Sequence, residues 1–339
     1  MKGEYILKSK KGTNLIFLKK SILKKTDNLL SGLPAIYISL SLLLALVIVF
    51  LIGSKNFLSL YNIKVILNSS IILLAVGLGQ CFVILSGGID LSVGGIMSLV
   101  SIVYIIGLEK FGLLSFPLTM LVGCAAGLLN GILYTKLRIP SFICTLGTGG
   151  IFVSISFLLS PAPLSVSYRL IKYIDIVNGS IFGIKNIWFI ALVILGLYFI
   201  LQNYTYFGRT NYAIGNNEKM CQMSGVNVAR SKIFAFVFSG FGSSIAGIIL
   251  ASTLYSGYAT LGDVYILQSI AVVVIGGTAL TGGVGGALNT FVGALIMGVI
   301  RNGLTVVGID VYQQQAFLGL LIIVAVAVTF DKTKISIIK

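Results

Sequence analysis

The 339-residue chain contains no histidine. That excludes a Ser–His–Asp triad, a His-ligated zinc and a His-based proton relay. Charge is scarce too: charged residues make up 10% of the chain, against about 25% in a soluble domain that must wet its surface. Cysteine is limited to Cys81, Cys124, Cys144 and Cys221, with no C-x-x-C spacing. These read as small apolar packing groups rather than a disulfide frame or a metal site. No Gly-Lys pair occurs anywhere, so the phosphate-cradling loop of an ATPase is missing. No paired acids at fixed spacing and no H-E-x-x-H occur either, and the chain reads as a non-enzyme without a cofactor or metal of its own.

Apolar residues are what the chain has in quantity. They fill 57% of it, and the mean hydropathy is +1.05. With so little charge to cover a water-exposed shell, most of the surface faces lipid, and the expected fold is an all-α polytopic membrane protein. A net charge of +15 would point to nucleic acid in a soluble protein. Here it reads as lysine held at the cytoplasmic face by the positive-inside rule and by anionic membrane lipid, with no nucleic-acid partner.

A span needs about 20 apolar residues. Ten runs qualify: 34–53, 64–86, 92–108, 112–135, 139–160, 186–203, 232–254, 263–281, 284–306 and 316–330; eight spans with re-entrant hairpins are the alternative. Eight lysines, from Lys2 to Lys25, precede the first run and mark 1–33 as a basic cytoplasmic tail. With that end inside, Lys136 and Arg138, then Arg209, Lys219 and Arg230, then Lys332, Lys334 and Lys339 all fall inside. The membrane unit is 34–331. It carries an extracytoplasmic segment at 161–185 and a polar cytoplasmic loop at 204–231, and 332–339 is a cytoplasmic C-terminal tail.

Forty glycines exceed ordinary usage of about 7%. Gly123, Gly127 and Gly131 form a small-xxx-small face, read as packing inside the bundle in preference to a dimer seam. Two other clusters break spans. Gly87-Gly88-Ile89-Asp90-Leu91-Ser92-Val93-Gly94 and Gly276-Gly277-Thr278-Ala279-Leu280-Thr281-Gly282-Gly283 both fit G-G-x-x-L-[ST]-x-G. Transporters often carry internal repeats with broken helices, yet glycine turns are also ordinary hairpin chemistry, and the pattern alone does not choose. Asp90 is set between apolar runs. A carboxylate at mid-bilayer costs at least about 2.5–3.5 kcal/mol, so the favoured reading is an interfacial cap on the helix that starts near Leu91, ahead of a proton or cation site.

These residues resemble a known family. Gly79-Gln80 followed by Val83 through Gly94 is similar to the best-known motif of ribose/xylose/galactose-type ABC transporter permeases. Ile139 through Thr148, Val273 through Thr278, and the loop from Phe207-Gly208-Arg209 to Ser224-Gly225-Val226-Asn227 are similar to further family segments, in the expected order. The resemblance implies an importer half in a bacterial plasma membrane. A second permease copy (itself or a paralogue) completes the pathway, two cytosolic ATP-binding domains drive it, and an extracytoplasmic sugar-binding protein delivers the solute. It also implies that the 204–227 loop docks the ATPase through a short coupling helix. The sequence departs from the family where Met220-Cys221-Gln222 replaces Ala-Ala-Arg, where Ile266-Leu267-Gln268 replaces Glu-Leu-Asp, and where Leu318 replaces a lysine.

Three sets of site residues follow. For ATPase coupling they are Gly215, Asn216, Asn217, Glu218, Met223, Ser224 and Gly225. Asn216, Met220, Met223 and Ser224 fall on one face of a short helix, with Asn216 or Asn217 as cap and Gly225 as stop. For a pathway that meets a neutral, hydroxylated solute (a ribose-like pentose, a hexose or a nucleoside) they are Gln80, Asn130, Thr145, Thr148, Gln268 and Asn302, which offer hydrogen bonds without buried charge. The structural or gating motif is Gly87, Gly88, Asp90, Ser92, Gly94, Gly276, Gly277, Thr281 and Gly283. The competing class is an ion-coupled secondary carrier, which would place acids or histidine within the membrane; Asp90 is the one plausible candidate here.

Overall fold

The computed structural model describes residues 35–329; the expected basic tail at 1–33 and C-terminal tail at 332–339 lie outside the described residues. The helices are α1 Ala35–Gly53, α2 Leu60–Leu85, α3 Val93–Phe111, α4 Ser115–Leu137, α5 Ser141–Leu159, α6 Ile171–Asn178, α7 Asn186–Tyr204, α8 Tyr206–Asn216, α9 Glu218–Met223, α10 Val228–Leu254, α11 Tyr265–Ile275, α12 Ala287–Val306 and α13 Val311–Thr329. Among the described residues, seven helical stretches are long and apolar enough to cross a membrane, with Val93–Leu137 counted as one.

The predicted spans land on helices throughout, with one shortfall. The run expected at 263–281 is helical only over Tyr265–Ile275. Eleven residues rise about 16 Å, half of a hydrocarbon core of about 30 Å. The helix stops where Gly276 and Gly277 remove its side chains. The chain also departs from an all-helical reading at two small antiparallel pairings, β1 Leu164–Ser165 with β4 Ser256–Gly257, and β2 Ser180–Ile181 with β3 Ile184–Lys185. The first ties the 161–185 segment to the end of α10, where Asn178 Nδ2 also donates to Ser252 O at 2.7 Å.

Burial sorts the helices. α2 and α10 are enclosed over most of their length, while α1, α5 and α7 show Leu44, Ile52, Leu158, Leu192 and Val193 on the outside. That exposed apolar shell is what lipid would cover, and it explains how 57% hydrophobic residues are accommodated. The four cysteines are free thiols, with Cys81, Cys144 and Cys221 buried.

The glycine face of α4 packs within the chain, as the sequence indicated. A Cβ on Gly127 would collide with Phe236 O, one on Gly131 would approach Ile233 Cα at 2.8 Å, and one on Gly240 would collide with Gly123 O. α4 and α10 therefore meet backbone to backbone, the most extensive helix pairing in the molecule. Gly240→Leu should wedge this pair apart at a cost of about 1–3 kcal/mol, seen as a lower Tm in detergent; an unchanged Tm would refute the close seam.

Candidate translocation and coupling site

Two helices end in the same device. In α2, Gly87 takes φ +79°, its N–H bonds Ile84 O at 2.8 Å, and Gly88 N bonds Val83 O at 2.9 Å. In α11, Gly277 takes φ +97°, its N–H bonds Val274 O at 2.9 Å, and Thr278 N bonds Val273 O at 3.1 Å. Both are Schellman ends, in which a glycine reaches the left-handed region without a Cβ penalty. The internal echo is thus physical at the helix ends, but its register differs by one: Gly87 corresponds to Gly277, not to Gly276. It also stops there. The first break closes at Ser92, ahead of α3, whereas the second runs on to Gly286, ahead of α12.

The first break is held by buried polar side chains. Asp90, fully buried, accepts from Ser92 N at 2.9 Å, Ser92 Oγ at 2.6 Å and Ser239 Oγ at 2.7 Å. Asn130 Nδ2 donates to Ser92 Oγ at 2.7 Å. Ser141 Oγ accepts Ile89 N at 3.0 Å, and Thr145 Oγ1 accepts Leu91 N at 2.9 Å. With its amide oriented by the network, Gln80 donates to Asp90 O at 3.1 Å and accepts Asp90 N at 3.2 Å. The cap position expected at Asp90 shifts by two residues. Asp90 satisfies an N–H near the start of α3, but the N-cap position belongs to Ser92, and the carboxylate lies deep between α3, α4 and α10 with three donors on it.

The second break draws partners from both near and distant positions. Ser39 Oγ of α1 donates to Ile275 O at 2.9 Å, and Asn289 Nδ2 to Gly276 O at 3.0 Å. Thr278 Oγ1 accepts Gly286 N at 3.1 Å, and Gln202 Oε1 accepts Ala287 N at 2.6 Å.

α8 lies across both breaks. Asn211 Nδ2 donates to Phe82 O at 2.8 Å. Tyr212 accepts from Gln202 and donates to Gly285 O; burial pushes its hydroxyl up to about 12, so it stays a donor. The breaks also touch each other, through Gly283 N to Leu85 O at 3.0 Å. Gly215 sits at this junction, where a Cβ would collide with Leu85 O and Gly283 N. Asn216 Nδ2 reaches Tyr212 O at 3.0 Å and Gly283 O at 3.4 Å.

The short helix expected within 216–225 is α9, Glu218–Met223, separate from α8. Asn217 is extended between them and caps α9, accepting Met220 N at 3.1 Å. Gly225, at φ +78°, ends α9 after Ser224. Cys221 packs inward against Ile214 and Val228, while Met220 and Met223 point outward, 58% and 84% exposed. Thus Gly215 and Asn216 face the breaks, and the outer surface belongs to α9.

The expected pathway residues divide. Gln80, Asn130 and Thr145 belong to the first break, and Thr148 donates to Thr145 O at 3.3 Å on the same helix. Gln268 is on α11, where Arg301 Nη1 donates to it at 3.4 Å; with Asp263, Gln315 and Leu318 it lines a cavity of about 260 Å³. Asn302 carries a buried Oδ1 without a partner among the described residues. Of the motif residues, a Cβ on Gly88 would stand 3.5 Å from Ser141 Oγ and one on Gly94 would press on Gly262 O at 2.8 Å, whereas Thr281 is exposed. Sequence reasoning assigned no role to Ser141, Gln202, Asn211, Tyr212, Ser239 or Asn289. The available signal was single polar residues inside apolar runs.

The chain has relatives among known proteins. A family profile described as the permease component of a branched-chain amino acid transport system matches residues 62–326. The chain belongs to this permease family. Within it, the chain is 36% identical to the ribose import permease of Haemophilus influenzae over 86% of this chain and 90% of that one. It is 34% identical to the fructose import permease of Rhizobium meliloti, covering 91% and 89%, and 33% identical to the galactose/methyl galactoside import permease of Salmonella typhimurium, covering 86% and 92%. The ribose/xylose/galactose-type ABC permease resemblance read from the motifs is thereby shown, and these relatives are transport subunits.

Asp90→Ala strands three donors and should destabilise the permease most. Ser239→Ala removes one of those bonds, worth about 0.5–1.5 kcal/mol. Asp90→Asn, which keeps an acceptor, should be mildest. Thermal unfolding in detergent reads the order, and equal losses for Asn and Ala would sink the hydrogen-bond account.

Proposed function

We propose that the chain is the membrane permease subunit of an ATP-driven importer of a neutral sugar, a ribose-like pentose or a hexose. The carrying observation is α9, whose Met220 and Met223 face outward from a helix pair that is anchored through α8 to both glycine breaks. Methionine re-packs readily and suits a docking face. A separate pair of cytosolic ATP-binding domains engages this face through 216–225, and an extracytoplasmic binding protein supplies the sugar at the other end. The relatives named for ribose, fructose and galactose support the solute class.

Orientation follows from charge. Arg138, Lys219 and Arg230 flank the α9 end, so that end is cytoplasmic, and the paired β1 and β4 end is extracytoplasmic. In this reading the chain crosses ten times, through α1 to α5, α7, α10, α11 with its glycine break, α12 and α13, with both termini inside. A second copy completes the pathway. Gln268 and Asn302 are the polar positions that the breaks leave free to meet hydroxyl groups.

In proteoliposomes that contain the permease, its ATPase and its binding protein, sugar uptake should stop without ATP and survive a protonophore; the reverse would assign an ion-coupled carrier. Replacing both Met220 and Met223 with Asp should cut uptake and ATPase co-purification roughly tenfold or more while insertion is unchanged. Normal uptake in that variant would remove the docking face.

A further inference from the structure

Lys232 is the buried lysine of this bundle. It lies one turn into α10 with its side chain 9% exposed, and it forms the one ion pair among the described residues, with Glu218 Oε2 at 2.7 Å. Its Nζ also donates to Tyr134 Oη of α4 at 3.0 Å and stands over the Tyr134 ring at 5.1 Å. Tyr134 in turn packs on Phe236 of α10, with ring centroids 5.6 Å apart. The three side chains border a groove of about 680 Å³ that Arg138 and Gln222 also line. A buried ion pair is a poor device for stability alone, because desolvation offsets most of its attraction; its best attested use is to fix a register.

The register at stake is that of α9. Beyond the Cys221 contact with Ile214 and Val228, Glu218 supplies its charged tie to the bundle, and that tie ends on the α4 and α10 pair. This pair meets backbone to backbone at Gly127 and Gly240. It also carries Asn130 and Ser239, which reach the Ser92 hydroxyl and the Asp90 side chain at the first break.

We propose that Glu218, Lys232 and Tyr134 form a coupling strut that converts displacement of α9 into displacement of the α4 and α10 pair, and through Ser239 and Asn130 into movement of the first glycine break. They are positioning residues, since none touches the solute. The proposal rests on the importer reading for what displaces α9, and it adds a route that this reading does not contain. α8 gives α9 a path to both breaks along the backbone, whereas the strut gives it a path through side chains to one of them.

The test is the ratio of sugar transported to ATP hydrolysed, in proteoliposomes of the full complex. Lys232→Met should lower that ratio roughly tenfold, the scale of a typical coupling term, while the complex co-purifies at wild-type stoichiometry and still hydrolyses ATP. Tyr134→Phe, which keeps the ring and loses the acceptor, should have a smaller effect in the same direction. The double variant Glu218→Gln with Lys232→Met leaves no unpaired charge, so it serves if the single variant misfolds, and it should be no worse than Lys232→Met alone. Exchange of the two charges, Glu218→Lys with Lys232→Glu, should recover part of the ratio. A wild-type ratio in Lys232→Met or in the double variant overturns the strut, as do losses that multiply in the double variant. Failure of the importer reading looks different: the wild-type complex itself shows no ATP-dependent uptake.

Discussion

A peptide group freed from a helix inside a water-poor bundle must find a protein partner, and two helix breaks impose that condition on this permease at once. The chain meets it with side chains drawn from near and far along the sequence. Ser141, Thr145 and Gln80 serve the backbone of the first break. Ser39, Asn289, Thr278 and Gln202 serve the second. Such residues fix which helices can be neighbours. α5 must lie beside the α2–α3 turn, and α7 beside the start of α12, because the freed N–H groups there have no water to fall back on.

The same condition makes the breaks interdependent. Leu85 O is satisfied by Gly283 N, Phe82 O by Asn211 of α8, and Gly285 O by Tyr212 of the same helix. At Gly215, α8 approaches both breaks within the space of a missing Cβ. Close-packed interiors do not deform continuously, so a shift of α8 carries both breaks with it or parts from both. This geometry accounts for a polar loop packed so firmly against an apolar bundle.

Much of the fold was legible from periodicity and charge. Apolar runs located the helices, and the glycine face of α4 announced its own packing. Two things were hidden. The eighth run reads as a full span because Val272 through Ile275 and Ala279 through Leu280 are apolar, yet a Schellman end at Gly277 stops the helix between them; hydropathy does not register a left-handed residue. The partners of the breaks were hidden for a different reason. Ser239, Asn211 and Gln202 are isolated polar residues whose partners lie 149, 129 and 85 positions away, and local pattern carries no information about that distance. Gln80, Asn130 and Thr145 were visible as polar groups in spans, and their bonds are spent on Asp90, Ser92 and Leu91.

Asp90 and Lys232, both deeply buried, are handled in opposite ways, and the contrast separates what is fixed from what can release. Asp90 is surrounded by three neutral donors that are themselves enclosed, Ser92 N, Ser92 Oγ and Ser239 Oγ. No water competes for those bonds, and pulling any one of them away leaves a buried carboxylate short of a partner, so the first break holds as a unit with α10. Lys232 is enclosed, but its partner Glu218 is 44% exposed, and water can take over the glutamate when the pair separates. The penalty for parting then falls on one side only. A clamp at Asp90 and a releasable tie at Glu218, both anchored on the same α4 and α10 pair, place the yielding contact of the bundle next to α9 and the unyielding one at the break.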